Sequence, residues 1–223
     1  KLARGDEDGA FEAAREADRV ARGSGADLEI AIATAWMVRL RLSRGNLAEA
    51  VALERERAAN AENAADAARV VDRLTSVRVL HARGRHDEAL GLLEELSGFA
   101  ERSGITGGFI EILALQALVL WARNEKERAV STLTRALALA EPEGFVRTIV
   151  DEGPAMADLL PAVLEARQSG RLAATGRVSV AYLAKLLAAL AQEAGAAPAD
   201  DRLAEPLSER ELEVLALLGA GES

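Results

Sequence analysis

The chain has 223 residues, of which 50% are hydrophobic but only 3% aromatic, and its formal net charge is −9. So few aromatic residues favour closely packed helices with Ala, Leu and Val in the core, and so acidic a chain is poorly suited to bind nucleic acid on its own. The lack of cysteine excludes disulfides and thiolate metal sites, which fits a reducing cytoplasm, and no apolar run approaches the roughly 20 residues of a membrane span.

A pattern with a period of about forty residues runs through the first part of the chain. In each copy an apolar helical stretch ends at Gly or Asn, and an Ala follows five residues later. The spacings between complete copies are 84 − 45 = 39 and 124 − 84 = 40 residues, and Leu2-Ala3-Arg4-Gly5 begins a partial fourth copy. The turn residues and their alanines are Gly45 with Ala50, Gly84 with Ala89, and Asn124 with Ala129.

Each copy predicts a helical hairpin. Gly or Asn ends the first helix because both adopt the left-handed backbone conformation at low cost. The second helix carries apolar residues at helical spacing, for example Ala89, Leu90, Leu93 and Leu96. One hairpin cannot bury its apolar face alone, so neighbouring hairpins must stack into a solenoid.

The turn segments Gly45-Asn46-Leu47-Ala48-Glu49-Ala50 and Gly84-Arg85-His86-Asp87-Glu88-Ala89 resemble tetratricopeptide repeats. The resemblance implies an all-α fold, a superhelix of stacked antiparallel helix pairs. The copies run about forty residues here against thirty-four in the family pattern, a difference that leaves the helical-hairpin class unchanged. We therefore predict turns at Gly45, Gly84 and Asn124, and no sheet.

The period lapses after Pro142. From there the sequence predicts a short helix from Gly144, a helix from Ala155 to about Arg167, a loop from Ser169 to Gly176, and a final amphipathic helix from Val178 to Gln192. The Gly-, Ala- and Pro-rich stretch that follows has the composition of a linker.

The last segment of the chain has a more specific pattern. Ser208 and Glu211 form a capping box ahead of an apolar stripe. The whole run Leu207-Ser208-Glu209-Arg210-Glu211-Leu212-Glu213-Val214-Leu215-Ala216-Leu217-Leu218, closed by Gly221-Glu222-Ser223, resembles the start of a LuxR-type helix-turn-helix domain. The segments 143–147, 151–160 and 182–187 also resemble the end of the sensor region in MalT-like regulators.

MalT-like regulators are large ATP-dependent transcriptional activators with an N-terminal ATPase, a superhelical sensor and a C-terminal LuxR-type DNA-binding domain. The resemblance implies that this chain is a fragment: a sensor domain at 1–194, a linker at 195–206 and a truncated helix-turn-helix at 207–223. It also implies that the fragment does not bind a DNA operator, because the recognition helix would follow Ser223. We expect 207–218 to be poorly ordered or docked on a neighbouring surface.

A search for catalytic chemistry finds no enzyme signature. None of the lysines follows a Gly as in a phosphate-binding loop, so any ATPase belongs to another part of the parent protein. The two histidines, His81 and His86, are separated by Gly84 and do not share a helix face, which favours packing and surface roles over metal binding. We predict no cofactor and no metal site.

In tetratricopeptide folds the first helix of each hairpin lines the concave face, where ligands or peptides bind. Carried over by position, the resemblance predicts a ligand-binding groove with residues from three successive units. They are Arg39 and Leu42 from the first complete unit, Arg78 and His81 from the second, and Glu111, Leu118 and Trp121 from the third.

Arg39 and Arg78 each lie six residues before the turn glycine of their unit, so stacking should bring them together. Two adjacent cations repel each other unless an anionic group pairs with them or an aromatic ring lies against them. One interpretation is a sugar, nucleotide-like or peptide ligand, with Trp121 as a stacking surface. The other is that nearby Asp or Glu side chains pair with both arginines and that Trp121 belongs to the core. We expect Arg78 to be partly solvated, so that Arg78→Ala leaves the fold intact.

Two functions fit these observations. The first is effector sensing within a transcriptional regulator, with a small-molecule effector or a regulatory protein in the groove and with the other domains of the parent as partners. The second is a pure interaction scaffold that mediates self-association and binds no small molecule. A closed pocket with convergent Arg, Glu and Trp favours the sensor, whereas an open apolar groove favours the scaffold.

Overall fold

The computed structural model describes residues 7–60, 66–103, 106–171 and 178–195. Within these ranges the regular structure is entirely helical, which confirms the predicted all-α class. The helices are α1 (Glu7–Ser24), α2 (Asp27–Ser43), α3 (Leu47–Ala59), α4 (Asp66–Ala82), α5 (His86–Ser103), α6 (Thr106–Ala122), α7 (Lys126–Glu143), α8 (Arg147–Val150), α9 (Ala155–Gln168) and α10 (Val180–Gly195).

Three helical hairpins form the repeats: α2 with α3, α4 with α5, and α6 with α7. Their turn residues, Gly45, Gly84 and Asn124, have φ of 73°, 71° and 63°, the left-handed conformation that ends a helix. The amide of each turn residue donates to the carbonyl three residues earlier, and the next amide reaches five residues back. The predicted turns are therefore confirmed at all three positions.

The hairpins stack in a regular order. The first helix of a unit packs against its own second helix and against the first helix of the next unit, so that α2 contacts α3 and α4, and α4 contacts α5 and α6. The repeat spacing places Ala50, Ala89 and Ala129 at equivalent points inside the second helices, where all three are completely buried. A methyl side chain at these points allows the helices to approach closely.

The region after the third hairpin closes one end of the stack. Helix α8 packs on α6 and α10, while α9 packs on α6, α7 and α10. Leu159 and Leu160 of α9, with Leu183 and Leu186 of α10, join α6 and α7 in the largest cluster of buried residues in the described ranges.

Two predicted helix starts differ from the structure. Gly144 does not begin a short helix: with φ of 69° it ends α7, and the short helix α8 begins at Arg147. The last helix begins at Val180 rather than Val178, because the hydroxyl of Ser179 accepts a hydrogen bond from the amide of Tyr182 as an N-cap does. The predicted helix from Ala155 is confirmed.

The predicted domain boundaries stay predictions. Helix α10 ends at Gly195, next to the predicted start of the linker, and most of the linker and all of the helix-turn-helix segment lie outside the described residues. The same is true of the fourth repeat signature at residues 2–5. Within the described ranges, every helix is too short or too polar to cross a membrane.

Candidate functional site

Four charged side chains from four separate elements meet on the layer formed by the first helices. Arg39 comes from α2, Arg78 from α4 and Glu111 from α6, while Glu152 comes from the connector between α8 and α9. The repeat register accounts for the two arginines, since 45 − 39 = 6 and 84 − 78 = 6. We call these four residues the charge cluster.

Both arginines donate to both carboxylates. Arg39 Nη2 lies 2.9 Å from Glu111 Oε1 and 3.0 Å from Glu152 Oε1. Arg78 Nη2 lies 2.6 Å from Glu111 Oε1 and 2.5 Å from Glu152 Oε1, and Arg78 Nε lies 3.1 Å from Glu152 Oε2. Arg78 also donates to the Leu74 carbonyl at 3.3 Å. The cluster is neutral overall and strongly crosslinked, with charge-assisted hydrogen bonds throughout.

The charge cluster is largely removed from water. The side chains of Glu152 and Arg78 are 3% and 8% exposed, and those of Arg39 and Glu111 are 17% and 27% exposed. Burial acts to raise the pKa of Glu152, but the charges of Arg78 and Arg39 outweigh it and hold that pKa below its usual value. Burial likewise opposes the charge on Arg78, yet Glu152 and Glu111 raise the pKa of Arg78 above its ordinary value. Arg78 and Glu152 are therefore both ionised at neutral pH.

This geometry shows how the charge of the arginine pair is balanced within the chain. Acidic side chains of the chain itself neutralise both arginines, and the expectation that Arg78 is partly solvated is wrong, because this residue is only 7% exposed. The predicted repeat register is nevertheless upheld, because Arg39 and Arg78 lie together on the first-helix layer.

His81 lies one helical turn beyond Arg78 and is half-buried. Burial lowers its pKa, the neighbouring His86 lowers it further, and the carboxylate of Glu152 opposes both effects. The two imidazole centroids are 5.4 Å apart. The buried Nδ1 of His81 has no hydrogen-bond partner within the described part of the chain. His81 therefore lies in the electrostatic field of the charge cluster without bonding to it.

A cavity of about 270 Å³ opens beside the charge cluster. Its polar wall is formed by Arg39, Arg78 and Glu111, and its aromatic wall by Trp36. The Arg39 guanidinium carbon lies 5.3 Å from the centroid of the Trp36 ring, which is a cation–π distance. We call this space the charged cavity.

Three of the predicted groove residues lie elsewhere. Leu118 is 4% exposed and belongs to the largest core cluster. Trp121 packs at the edge of that cluster, with Lys126 Nζ 5.4 Å from its ring centroid. Leu42 packs against the small cluster of Val38, Ala50 and Val79. The structure thus brings together Arg39, Arg78 and Glu111, with His81 beside them, and leaves the other three in packing positions.

Sequence reasoning missed Glu152 and Trp36. Glu152 follows Asp151 in a segment after the last repeat, so periodicity gave it no place in the groove. Trp36 lies nine residues before Gly45, and its equivalents are Thr75 and Leu115, which are 4% and 2% exposed. The side chain at that position is therefore buried in the other units, and no sequence signal distinguishes Trp36 from its equivalents. Only its exposure in the structure identifies Trp36 as a candidate binding residue.

A larger and more apolar groove runs between α1 and α2. It has a volume of about 990 Å³ and shares Ile32 and Trp36 with the charged cavity. Alanines of α1 form one wall, and α8 reaches its edge through Arg147 and Asp151. We call it the α1–α2 groove. Within the described ranges, no group of three or more His, Asp or Glu side chains is arranged to hold a metal ion.

Comparison with known proteins gives a consistent result. The family described as the MalT-like TPR region matches residues 1–167. The HTH-type transcriptional regulator MalT of Yersinia pestis (strain Pestoides F) is 35% identical over 88 residues, which are 40% of this chain and 10% of that protein. Its namesake from Yersinia enterocolitica is 33% identical over 82 residues, 37% of this chain and 9% of that protein. The match thus spans about a tenth of the length of these relatives. No solved structure matches the chain.

Proposed function

The chain belongs to the family of MalT-like TPR regions, and from that premise we propose that it is the signal-sensing part of a transcriptional regulator, with a small inducer bound in the charged cavity. The two relatives named above are transcriptional regulators by name. In such a protein a helical-repeat domain would couple a ligand to the neighbouring domains.

The observation that carries this proposal is the composition of the charged cavity. An exposed indole faces two guanidinium groups and a carboxylate, all fixed by their mutual hydrogen bonds. Ligand sites combine an apolar or aromatic surface with a few well-placed polar groups in this way. The volume of about 270 Å³ suits a small polar molecule, such as one sugar or nucleoside unit, better than a folded partner.

The charge cluster also offers a route for the signal. Glu152 belongs to the connector that leads into α9 and α10, and it is held by arginines of the first and second complete repeats. A ligand that contacts Arg39 or Glu111 alters the balance of these bonds. The C-terminal helices would sense that change through Glu152.

A thermal-shift screen of small polar metabolites against the full chain tests this function. A ligand that binds the folded state raises the melting temperature by mass action. Calorimetry with the best ligand should then show a loss of affinity of about five-fold or more in Trp36→Ala, because stacking on an aromatic ring contributes roughly 1 kcal/mol. Val20→Ala is the matched control, since Val20 is an exposed apolar residue of the α1–α2 groove that does not line the charged cavity. Equal affinity in both variants would contradict the proposed site.

The alternative function, an interaction scaffold without a small-molecule ligand, is favoured by the α1–α2 groove. Val20, Ile32 and Trp36 are 56%, 42% and 38% exposed there, and exposed apolar patches mark association surfaces. The two functions differ in a simple measurement. If no metabolite stabilises the chain, and sedimentation shows concentration-dependent self-association that Ile32→Arg abolishes, the scaffold is the better description.

A further inference from the structure

The α1–α2 groove exposes apolar side chains at positions whose equivalents in the other repeat units are covered by a neighbouring helix. Among the described residues, Val20, Ile32 and Trp36 are the large hydrophobic side chains that remain exposed, and all three line this groove. The repeat symmetry of the chain identifies what covers the equivalent positions in other units. This comparison does not depend on the proposed function.

The first helices α2 and α4 differ in whether the face directed toward the preceding unit is covered. In α4 this face is covered by α2, with Leu28 and Ala31 packed against Ala68 and Val71. Thirty-nine residues earlier, the equivalent residues of α2 are Glu29 and Ile32, and both are exposed. α2 thus presents toward the groove the same face that α4 buries.

The second helices differ in the same way: the face directed toward the unit's own first helix is buried in α3, α5 and α7 but more exposed in α1. Five residues after the turn, Ala50, Ala89 and Ala129 are completely buried, whereas the equivalent Ala10 of α1 is only half-buried. Twelve residues after the turn, Leu96 and Ala136 are 3% and 0% exposed, whereas Ala17 of α1 is exposed. Among the described residues, α1 therefore has the face of a second helix on which no first helix of its own unit is packed.

These two faces meet at one place, the α1–α2 groove. We propose that the groove binds one further amphipathic helix of the first-helix type, which runs antiparallel to α1 and beside α2, as α2 does with α3 and α4. The occupant is the first helix of the unit whose turn signature is Leu2-Ala3-Arg4-Gly5, because these residues repeat the signature found where α2 and α4 end. The bound helix covers Val20, Ile32 and Trp36 and continues the layer of α2, α4 and α6.

A graft built from the chain itself tests this inference. A copy of residues 27–41 is joined to Leu2 in place of Lys1, which sets the copy at the same distance from Gly5 as α2 from Gly45. The copy carries Ile32→Glu and Trp36→Ser, so that its own outer face is polar, as terminal repeats require. The remainder of the chain carries Trp121→Phe, which leaves the native Trp36 as the single tryptophan, because the chain has two.

We expect the graft to raise the melting temperature by about 5–10 °C, since it removes three large apolar side chains from water. Trp36 emission should shift to shorter wavelength, and binding of a hydrophobic dye should fall. The control graft also carries Ala31→Asp and Val38→Asp in the copy. These positions are buried where α2 packs on its neighbours, so the control helix cannot dock and should produce none of these changes.

Three results would overturn the proposal. The first is a graft that leaves both the melting temperature and Trp36 emission unchanged. The second is an ungrafted chain that sediments as a dimer in which Trp36 is buried, with Ile32→Arg restoring the monomer, because a second copy would then cover the groove. The third is a shift of Trp36 to longer wavelength when residues 196–223 are deleted, since the C-terminal segment would then be the occupant.

Discussion

The two ends of the described helical stack differ in how they bury apolar surface. At the C-terminal end, α6, α7, α9 and α10 share one large cluster in which Leu137, Leu160 and Leu183 are fully buried. At the N-terminal end, α1 and α2 share a small cluster of Ala14, Met37 and Leu40, and large side chains such as Ile32 stay exposed. The C-terminal end is closed by helices outside the repeat, whereas the N-terminal end keeps the open face of a repeat.

The difference in burial between the two ends indicates which parts of the stack contribute most to its stability. A repeat hairpin buries its apolar face only through its neighbours, and the C-terminal hairpin obtains that cover from α9 and α10. The charge cluster lies between the two ends and links them, because Glu152 follows α8 while Arg39 lies on α2. Stability should therefore depend strongly on the C-terminal core and on the charge cluster, and weakly on the groove residues.

The largest effect is expected at Arg78. Arg78→Ala removes a buried cation and leaves Glu152 and Glu111 with Arg39 alone, so the free energy of unfolding should fall by about 3–5 kcal/mol. Urea unfolding measures the loss. Arg73→Ala is the matched control, because Arg73 lies on the same helix and makes an exposed ion pair with Glu95 that contributes about 0–1 kcal/mol. Equal losses in the two variants would show that the charge cluster does not link the two ends.

Leucine and isoleucine truncations compare the ends directly. Leu160→Ala in the C-terminal core should lower the free energy of unfolding by about 2–4 kcal/mol, because Leu160 is completely buried and leaves a cavity. Ile32→Ala in the α1–α2 groove should cost less than about 1 kcal/mol, because Ile32 is 42% exposed and opens no cavity. Both are read from urea curves at the same pH. A larger loss in Ile32→Ala would mean that the groove is covered in solution.

Lowering the pH should reduce the free energy of unfolding gradually and by less than the substitutions above. The folded state depresses the pKa of His81 below its ordinary 6.5, so the unfolded chain takes up this proton first and stability falls as the pH drops below about 6.5. The pKa of Glu152 is also depressed from its ordinary 4.5, so the stability it provides is present above that pH and is lost as the pH falls through the folded pKa.

The measurement is the urea midpoint at about pH 7.5, pH 5.5 and pH 4. His81→Asn should reduce the change in urea midpoint between about pH 7.5 and pH 5.5, and Glu152→Gln should reduce the change between about pH 5.5 and pH 4. Glu95→Gln serves as the exposed control and should change neither part, since Glu95 makes only a solvated ion pair. A profile that is the same in all four proteins would place the acid sensitivity outside the charge cluster.

The repeat pattern predicted most of the fold because its signals are local. A turn residue in the left-handed conformation and an alanine five residues later depend on the chain within one hairpin, and all three predicted turns are found at Gly45, Gly84 and Asn124. The same register brought Arg39 and Arg78 together, because equivalent positions in stacked units are neighbours in space. Glu111 lies 13 residues before Asn124, where the equivalent position is Leu118, so the register alone does not place Glu111 beside the arginines.

The remainder of the candidate site could not be predicted because it depends on contacts outside the period. Glu152 reaches the arginines from a connector after the last repeat, and no spacing rule relates it to Arg39 or Arg78. Trp36 and Trp121 occupy different positions in their units, and the groove prediction for Trp121 rests on its place in a first helix. Packing against the C-terminal core decides otherwise for Trp121.

The bond between Arg39 and Glu152 joins residues 113 positions apart in the sequence. In a simple solenoid, folding can start at any unit and spread to its neighbours, since each unit contacts only the next. A bond of this sequence separation forms late, because closing a long loop costs chain entropy that a local hairpin avoids. The hairpins should therefore form first and the four charges meet last. Because the bond ties α2 to the segment after α8, we expect the units between them to unfold together and not to fray one at a time from an end.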